Sequence, residues 1–384
     1  MENKSLSNQP KWKAIILSLL FLLIICLPVI NKKLLIIEEK KNPDFNYTPK
    51  PEWDISHLDP FPHNFEMYFN ENIGYTDHAL ALNGNFKLNI LKVSPNQSKV
   101  LVGKDNWLFV VGKPLNDYRG INLLSKEEIN TLAAILHERA VRLKAQGGTF
   151  YFAIVPNKHR AYSEYLPNNV VKANGLTVFD QVVEGLKSDS LIHLIDLRKP
   201  IENSKPEHIL YYKKDNHWND IGAFMGYKSI IENIHKKFKQ VSPVLFDSYT
   251  IDTSRKLVGG EAMQIGVDNL IDENRVMLKP KFKLLSHPGI KQNYPAPKDF
   301  PYLDDFEISK AVDNPTLPTA VIIRDSFTDF MLPYFGENFS KSTFIFDNWE
   351  YKENRNIIEK EKPDIVLMVI IEQNIGRILE CDKM

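Results

Sequence analysis

The sequence predicts an α/β protein built on a doubly wound parallel sheet. Short, continuous apolar runs, each typical of a buried strand, alternate with stretches of helical periodicity, as expected where helices cover both faces of a parallel sheet. These runs lack two-residue alternation and cover residues 149–155, 191–197, 320–323 and 365–371. The chain has 384 residues, 43% of them hydrophobic, which is enough to bury one large core, or one core and a small satellite.

Composition narrows the classes of function. The 48 basic residues balance 48 acidic ones, so no field of one sign favours nucleic acid as a partner. The two cysteines, Cys26 and Cys381, exclude a cysteine-based metal cluster and argue against a disulfide framework.

The N-terminal residues have the pattern of a membrane-targeting segment. Residues 1–13 are polar, and residues 14–30 carry no charge. At about 1.5 Å per residue, this uncharged run just reaches across a roughly 30 Å hydrocarbon core, which predicts a signal anchor or a signal peptide. No small-x-small cleavage motif follows, so we favour a retained transmembrane anchor with residues 1–13 in the cytoplasm. Ile25 stands before Cys26 where a lipoprotein would have a small residue.

A linker and one domain are predicted beyond this segment. Residues 31–63 are rich in proline and predict an extended linker, and residues 64–384 predict a single domain. Within the domain, residues 125–128 have the pattern of a capping box, which begins a helix that ends at Gly147-Gly148 before the first apolar strand. A further helix is predicted over residues 178–186.

The second half of the domain continues this alternation less regularly. Asn219 or Asp220 can cap a helix that carries apolar residues at helical spacing. Residues 241–318 are more polar and are interpreted as an insertion or excursion from the sheet.

Ser326 is a candidate nucleophile because of its place after a buried strand. It follows the run at residues 320–323 and precedes residues 328–335, which have helical periodicity. The hydroxyl would then lie at the carboxyl end of a parallel strand, where ligands bind in open α/β sheets. The amides of a helix N-terminus would suit an oxyanion, although a serine here could equally be a simple helix cap.

Asp215 and His217 are candidates for the groups that activate such a serine. Residues two apart in extended backbone face the same way, so the carboxylate can orient the imidazole. A serine hydroxyl needs a base that is held in the right tautomer. The alternative is a surface Asp-x-His pair without a chemical role.

Several motifs together resemble one family. Asp215-Asn216-His217-Trp218-Asn219 resembles the Asp-x-His-Trp signature of the AlgX/AlgJ-type polysaccharide O-acetyltransferases, also called the DHHW family. The runs at residues 103–109, 155–158 and 324–327 are similar to other motifs of that family, and residues 260–263 are a looser match. The resemblance extends from Gly103 to the end of the sequence and implies an SGNH-hydrolase-like fold.

The order of the motifs implies that the SGNH-hydrolase-like domain is circularly permuted. Other SGNH hydrolases begin with the Gly-Asp-Ser block and end with the Asp and His. In this chain, Asp325-Ser326 comes late, and the run at residues 365–371 resembles the strand before the third block. The run at residues 149–156 resembles the fourth block, so joining the end of the domain to its beginning would restore the usual order.

The resemblance also implies roles for individual residues. Ser326 would be the nucleophile, His217 the general base and then acid, and Asp215 its orienting partner. The Ser326 backbone N–H would form part of the oxyanion hole, and Gln373 or Asn374 would supply a second donor.

Further residues are candidates for binding the substrate. Trp218 would either line an acceptor-sugar site or pack in the core, and we favour the core. Arg324 would either bind an anionic sugar or pair with Asp325. Asn157, Lys158 and Tyr162 follow the first strand and are candidates to flank the groove, although a solvated surface position is expected for Lys158.

The preferred function is the transfer of an acetyl group through Ser326 to the hydroxyls of an extracytoplasmic polysaccharide. The resemblance implies an acetyl donor delivered by a membrane-bound O-acyltransferase, no metal and no organic cofactor. It places the catalytic domain outside the cytoplasm, on a single-pass membrane anchor. A carbohydrate acetylesterase with the same triad and a catalytically inactive polysaccharide-binding or assembly module are the alternatives.

Overall fold

The protein is represented by a computed structural model, which describes residues 11–34, 48–53, 59–72, 76–267, 269–298, 300–346 and 351–381. The chain divides into two compact units, Met1–Ile90 and Leu91–Met384. The start of the folded domain was predicted at residue 64, which lies inside the first of these units.

Most of the described part of the first unit is helical. Its helices are α1 (Lys11–Leu34), α2 (Pro60–Asn72) and α3 (Thr76–Asn85), followed by a π-helical turn at Phe86–Ile90. Helix α1 extends beyond the predicted span of 14–30 at both ends, and α2 begins within the predicted linker. Residues 35–47 and 54–58 of that linker lie outside the described residues.

A membrane-spanning helix is not identified in the described part of the chain. None of the helices there combines the length and the apolar character needed to cross a membrane. The predicted transmembrane anchor over residues 14–30 is therefore not confirmed.

The second unit is built around a seven-stranded sheet, flanked by two small two-stranded sheets. In chain order the described strands are β1 (Val100–Val102), β2 (Leu108–Val110), β3 (Thr149–Val155), β4 (Ile192–Asp196), β5 (Tyr249–Asp252), β6 (Met277–Pro280), β7 (His287–Pro288), β8 (Glu307–Ala311), β9 (Thr319–Arg324), β10 (Lys341–Phe346) and β11 (Ile365–Ile371).

Helices connect these strands along most of the unit. They are α4 (Lys113–Arg119), α5 (Lys126–Ala145), α6 (Lys158–Ala161), α7 (Val178–Leu186), α8 (Arg198–Ser204), α9 (Asp220–His235), α10 (Gly260–Gln264), α11 (Leu303–Phe306), α12 (Leu332–Phe335), α13 (Tyr351–Glu361) and α14 (Arg377–Cys381). The predicted capping box at Ser125 begins α5, since its side chain accepts from the Glu128 amide and Glu128 accepts from the Ser125 amide.

The order of strands in the large sheet is β4-β3-β11-β9-β10-β8-β7. The first five of these strands are parallel to their neighbours, whereas β8 pairs antiparallel with β10, and β7 pairs antiparallel with β8. The five parallel strands can be numbered 1 to 5 in the order β9, β10, β11, β3 and β4. Their spatial order in the sheet is then 2-1-3-4-5, as in flavodoxin-like folds. Joining the end of the domain to its beginning, as the predicted circular permutation does, numbers the strands in this way.

Two strands come from the region that was predicted to lie outside the sheet. Strands β7 and β8 fall within residues 241–318 and extend the sheet at one edge, so the sheet is not wholly parallel as predicted. The rest of that region, where it is described, holds β5, β6, the short helices α10 and α11, and a 3-10 turn at Phe246–Ser248.

The core lies in two layers because side chains of buried strands alternate between the two faces of the sheet. Odd-numbered residues of β3 and β11 pack in one layer with α9. Even-numbered residues of the same strands pack in the other layer with α5 and α7. All seven residues of β3 and of β11 are buried, which explains why the sequence shows continuous apolar runs there. The prediction of an α/β fold built on a largely parallel central sheet is confirmed.

Candidate active site

The segment after β9 places Ser326 at the carboxyl end of the central strands. Asp325 is buried, and its carboxylate accepts hydrogen bonds from the amides of Phe327 at 3.0 Å and Ile371 at 2.8 Å. The second bond ties the turn that carries Ser326 to the end of neighbouring strand β11. Burial raises the pKa of Asp325, although these two amides oppose that change.

The backbone at Ser326 differs from the prediction. A helix was predicted over residues 328–335, but Ser326–Met331 form a 3-10 helix, and only the four residues of α12 are α-helical. Asp325 is the capping residue, because its carboxylate accepts the Phe327 amide two positions on. The Ser326 hydroxyl is therefore not the cap of this turn and is directed to His217 instead.

The loop before α9 presents Asp215 and His217. An antiparallel bridge joins Tyr211 to Trp218, and the Tyr212 amide donates to the His217 carbonyl at 3.2 Å. These bonds close the loop at its base. Asn219 then caps α9 by accepting hydrogen bonds from the amides of residues 221 and 222 at 3.0 Å each.

Asp215, His217 and Ser326 form one continuous chain of hydrogen bonds. The Asp215 Oδ1 atom lies 2.7 Å from His217 Nδ1 and also accepts the His217 backbone amide at 2.8 Å. On the other side of the ring, His217 Nε2 lies 2.9 Å from Ser326 Oγ. This is the arrangement in which an imidazole can take the proton of a serine hydroxyl while a carboxylate holds its tautomer.

The electrostatics of the loop suit this arrangement. Burial disfavours the charged imidazole, but the hydrogen bond and charge of Asp215, with the charges of Glu261 and Asp325, raise the pKa of His217. Burial likewise opposes ionisation of Asp215, yet its hydrogen bond to His217 lowers the pKa of that carboxyl overall. The pair is therefore organised to stabilise an imidazolium that forms beside an ionised carboxylate.

Aromatic side chains surround the imidazole. The ring centroids of Phe327 and Phe330 lie 4.7 Å and 5.8 Å from that of His217. Trp218 is fully buried, and its Nε1 donates to the Phe327 carbonyl at 2.8 Å. The core position favoured for Trp218 is confirmed, so its indole does not line an acceptor site.

Arg324 adopts neither of the two predicted arrangements. Its side chain is 1% exposed, forms an ion pair with Asp329 and donates to the Asp305 carbonyl at 2.8 Å. The predicted ion pair with Asp325 is not formed, because the guanidinium faces Asp329. Its burial disfavours the predicted contact with an anionic sugar.

Residues at the ends of β3 and β11 lie next to each other. The Asn157 amide donates to Glu372 Oε1 at 2.6 Å, which joins the two strand ends. The Asn374 side chain lies near the Asp325 carboxylate and, like the two amides, opposes the rise in its pKa. Among the described residues, no hydrogen-bond partner is present for the buried side-chain amide of Asn157 (Nδ2 and Oδ1) or for Gln373 Oε1. These amides, at the same end of the sheet as Ser326, stay candidates for binding substrate or an oxyanion.

Lys158 and Tyr162 do not flank an open groove. Lys158 is 0% exposed, so the expectation of a solvated surface position is wrong. Tyr162 is also buried, where its hydroxyl accepts from the Leu210 amide at 2.7 Å and its ring stacks on Trp107.

Glu261 is a neighbour of Asp215 and His217 for which the sequence predicted no role. Its carboxyl group is buried, and burial and the charge of Asp215 raise its pKa to about 7. The preceding residue, Gly260, has φ +70°, and a Cβ atom there would lie 2.7 Å from Asp215 Oδ2. The loose match of residues 260–263 to a family motif was the available signal. In the part of the chain that the structure describes, no cluster of three acidic, histidine or cysteine side chains could hold a metal ion.

Comparisons with known proteins agree with this geometry. Residues 100–274 match the family model of the AlgX acetyltransferase, described as an SGNH hydrolase-like domain. Two proteins named probable alginate O-acetylase AlgJ are each 26% identical to the chain. The one from Pseudomonas putida matches over 36% of this chain and 34% of its own length, and the one from Pseudomonas syringae pv. tomato over 40% and 38%. The chain thus spans little more than a third of the length of these relatives.

A solved structure supports the fold over a longer stretch. Bacillus cereus PatB1 with a sulfonyl adduct superposes with a TM-score of 0.50 and 21% identity, covering 72% of this chain and 97% of that one. At this identity the likeness concerns the fold alone. The predicted resemblance to the AlgX/AlgJ-type family is confirmed, with the AlgX SGNH hydrolase-like domain matched over residues 100–274.

Proposed function

We propose that the protein is a serine-dependent O-acetyltransferase that acetylates hydroxyl groups of a polysaccharide. The observation that carries the proposal is the unbroken hydrogen-bonded chain from Asp215 through His217 to Ser326, at 2.7 Å and 2.9 Å. Its place at the carboxyl ends of parallel strands, where ligands of open α/β sheets bind, adds support. The names of the relatives support acetyl transfer as the reaction and a polysaccharide as the acceptor.

The first half-reaction acylates Ser326. His217 Nε2 takes the hydroxyl proton as Oγ attacks the acetyl carbonyl, and Asp215 stabilises the imidazolium that results. The Ser326 backbone N–H, together with a side-chain amide of Gln373 or Asn374, donates to the oxyanion. When the tetrahedral intermediate collapses, His217 returns its proton to the leaving group.

The second half-reaction moves the acetyl group to the acceptor. His217 removes a proton from a polysaccharide hydroxyl, whose oxygen attacks the acetyl-serine carbonyl. The proton then passes from His217 to Ser326 Oγ as that bond breaks, which restores the free enzyme. The His217 side chain is 30% exposed, which leaves the imidazole accessible for this exchange.

The acceptor distinguishes a transferase from an esterase. The protein is incubated with a chromogenic acetyl ester, with and without an oligosaccharide, alongside Ser326→Ala and His217→Ala. We expect acetylated oligosaccharide from the wild type and none from either variant. Ester hydrolysis that an acceptor does not change would indicate an acetylesterase. If both variants retain full acetylation of the polymer in cells, a binding or assembly module becomes the better interpretation.

We also propose that residues 14–30 attach the catalytic unit to the outer face of a membrane. The support is the uncharged apolar run in the sequence and the lysines that flank it. A membrane-bound O-acyltransferase would then deliver the acetyl group on the same side. Protease added to intact cells should digest the catalytic unit, and protection from protease would contradict this orientation.

A further inference from the structure

Lys158 is a buried cation whose ammonium group donates to three backbone carbonyls. It lies in the first turn after β3 and is 0% exposed. Its Nζ atom donates to the carbonyls of Leu108 at 2.6 Å, Lys213 at 2.7 Å and Asp215 at 3.0 Å. An ammonium has three protons, so these three bonds use its full donor capacity.

The three carbonyls come from two separate parts of the chain. Leu108 is the first residue of β2, whose amide donates to the Lys213 carbonyl at 2.9 Å. Lys213 and Asp215 belong to the loop that presents Asp215 and His217. Lys158 therefore ties β2, the start of α6 and the base of the Asp215 loop to one point.

The surroundings of the ammonium are partly apolar and partly acidic. The rings of Trp107 and Phe109 lie 5.2 Å and 5.3 Å from Nζ. Burial lowers the pKa of Lys158 to about 8, while the carboxylates of Glu261, Glu273 and Asp215 oppose that change. A buried cation of this kind costs free energy unless hydrogen bonds and charges compensate it.

We propose that Lys158 is a positioning residue for the catalytic triad, which holds the backbone of Asp215 at the place where its carboxylate meets His217. The proposal rests on the proposed function. The bond to the Asp215 carbonyl fixes the Cα atom from which the carboxylate extends. Loss of that bond lets the loop relax, and a displacement of about 1 Å at a catalytic group lowers the rate about 10²-fold.

The test compares Lys158→Met with Lys341→Met in the full-length chain. Lys341 forms an ion pair with Glu361 and stands at the first residue of β10, the strand end away from Ser326. Two rates are measured at equal folded fraction: kcat for a chromogenic acetyl ester, and the reaction of Ser326 with phenylmethanesulfonyl fluoride. In the second reaction Oγ bonds to sulfur, fluoride leaves, and His217 takes the serine proton.

We expect Lys158→Met to lower both rates about 10²-fold and to leave KM unchanged, because the residue does not touch the substrate. Lys341→Met should change neither rate. Unchanged rates in a folded Lys158→Met protein would overturn the positioning role. If Lys158→Met is sulfonylated more slowly but the wild type transfers no acetyl group, the proposed function is refuted and the positioning role is retained. If the wild-type serine also resists sulfonylation, both proposals fail.

A backbone substitution tests the same bond in case Lys158→Met does not fold. Lactic acid in place of residue 216 converts the Asp215 carbonyl from an amide to an ester carbonyl, which is a weaker hydrogen-bond acceptor. The matched control is Asn216→Ala, because alanine has the same methyl side chain as lactic acid but keeps the backbone amide. We expect Ser326 of the backbone-ester protein to react with phenylmethanesulfonyl fluoride about fivefold more slowly than Ser326 of the control. This is the change expected when one hydrogen bond is weakened. Equal rates would refute the proposal.

Discussion

Replacing Asp215 with asparagine tests the chain of hydrogen bonds most directly. The Asp215 Oδ1 atom accepts from both the backbone amide and the Nδ1 atom of His217, at 2.8 Å and 2.7 Å. An asparagine oxygen can keep the backbone bond, but the neutral amide no longer stabilises the imidazolium, and its NH₂ group favours the wrong tautomer. An equivalent change in a serine triad lowers kcat about 10⁴-fold, or about 5 kcal/mol in the barrier.

The assay is hydrolysis of a chromogenic acetyl ester at saturating substrate, with circular dichroism to verify the fold. Asp189→Asn is a matched control, because Asp189 Oδ2 lies 2.6 Å from His137 Nδ1 outside the site. We expect the control to retain wild-type kcat. A loss of less than about tenfold in Asp215→Asn would refute the reasoning, since the carboxylate would then contribute no more than an ordinary polar contact.

Three further results are expected. The acidic limb of the pH profile of kcat should lie at a higher pH than an ordinary histidine gives, because the raised pKa of His217 keeps the base protonated to a higher pH. Asp215→Asn should move that limb to lower pH. Trp218→Phe removes the 2.8 Å hydrogen bond to the Phe327 carbonyl and should lower the free energy of unfolding by about 1 kcal/mol. A denaturant titration measures this change, and no loss would show that the bond contributes little. Gly260→Ala should lower kcat and thermal stability together, because a Cβ at φ +70° would lie 2.7 Å from Asp215 Oδ2. Wild-type values of both kcat and thermal stability would contradict this close approach.

Elements buried on both faces could be predicted from the sequence. The run at residues 149–155 coincides with β3, and that at residues 365–371 with β11, because no solvated face interrupts either run. Helix α7 coincides with the predicted helix over residues 178–186. The helix predicted over residues 328–335 was wrong in type, since local periodicity does not distinguish a 3-10 turn from an α-helix.

The partners of buried charges could not be predicted. Lysine is seldom fully buried, so a surface position was the reasonable expectation for Lys158. Its carbonyl partners are contributed by chain segments about 50 residues away on either side. The arginine at 324 likewise meets Asp329 and the Asp305 carbonyl only after the chain has folded.

The bond between Trp218 and the Phe327 carbonyl joins the residues that directly follow His217 and Ser326. The two loops are thus connected twice, once by the catalytic pair and once by their immediate neighbours. In the proposed acyl-enzyme, Ser326 Oγ would have no proton to share with the imidazole, and the bond to His217 would be interrupted. The bond between Trp218 and the Phe327 carbonyl involves no atom that reacts in the proposed mechanism. It would therefore keep the imidazole beside the ester while the acceptor hydroxyl enters.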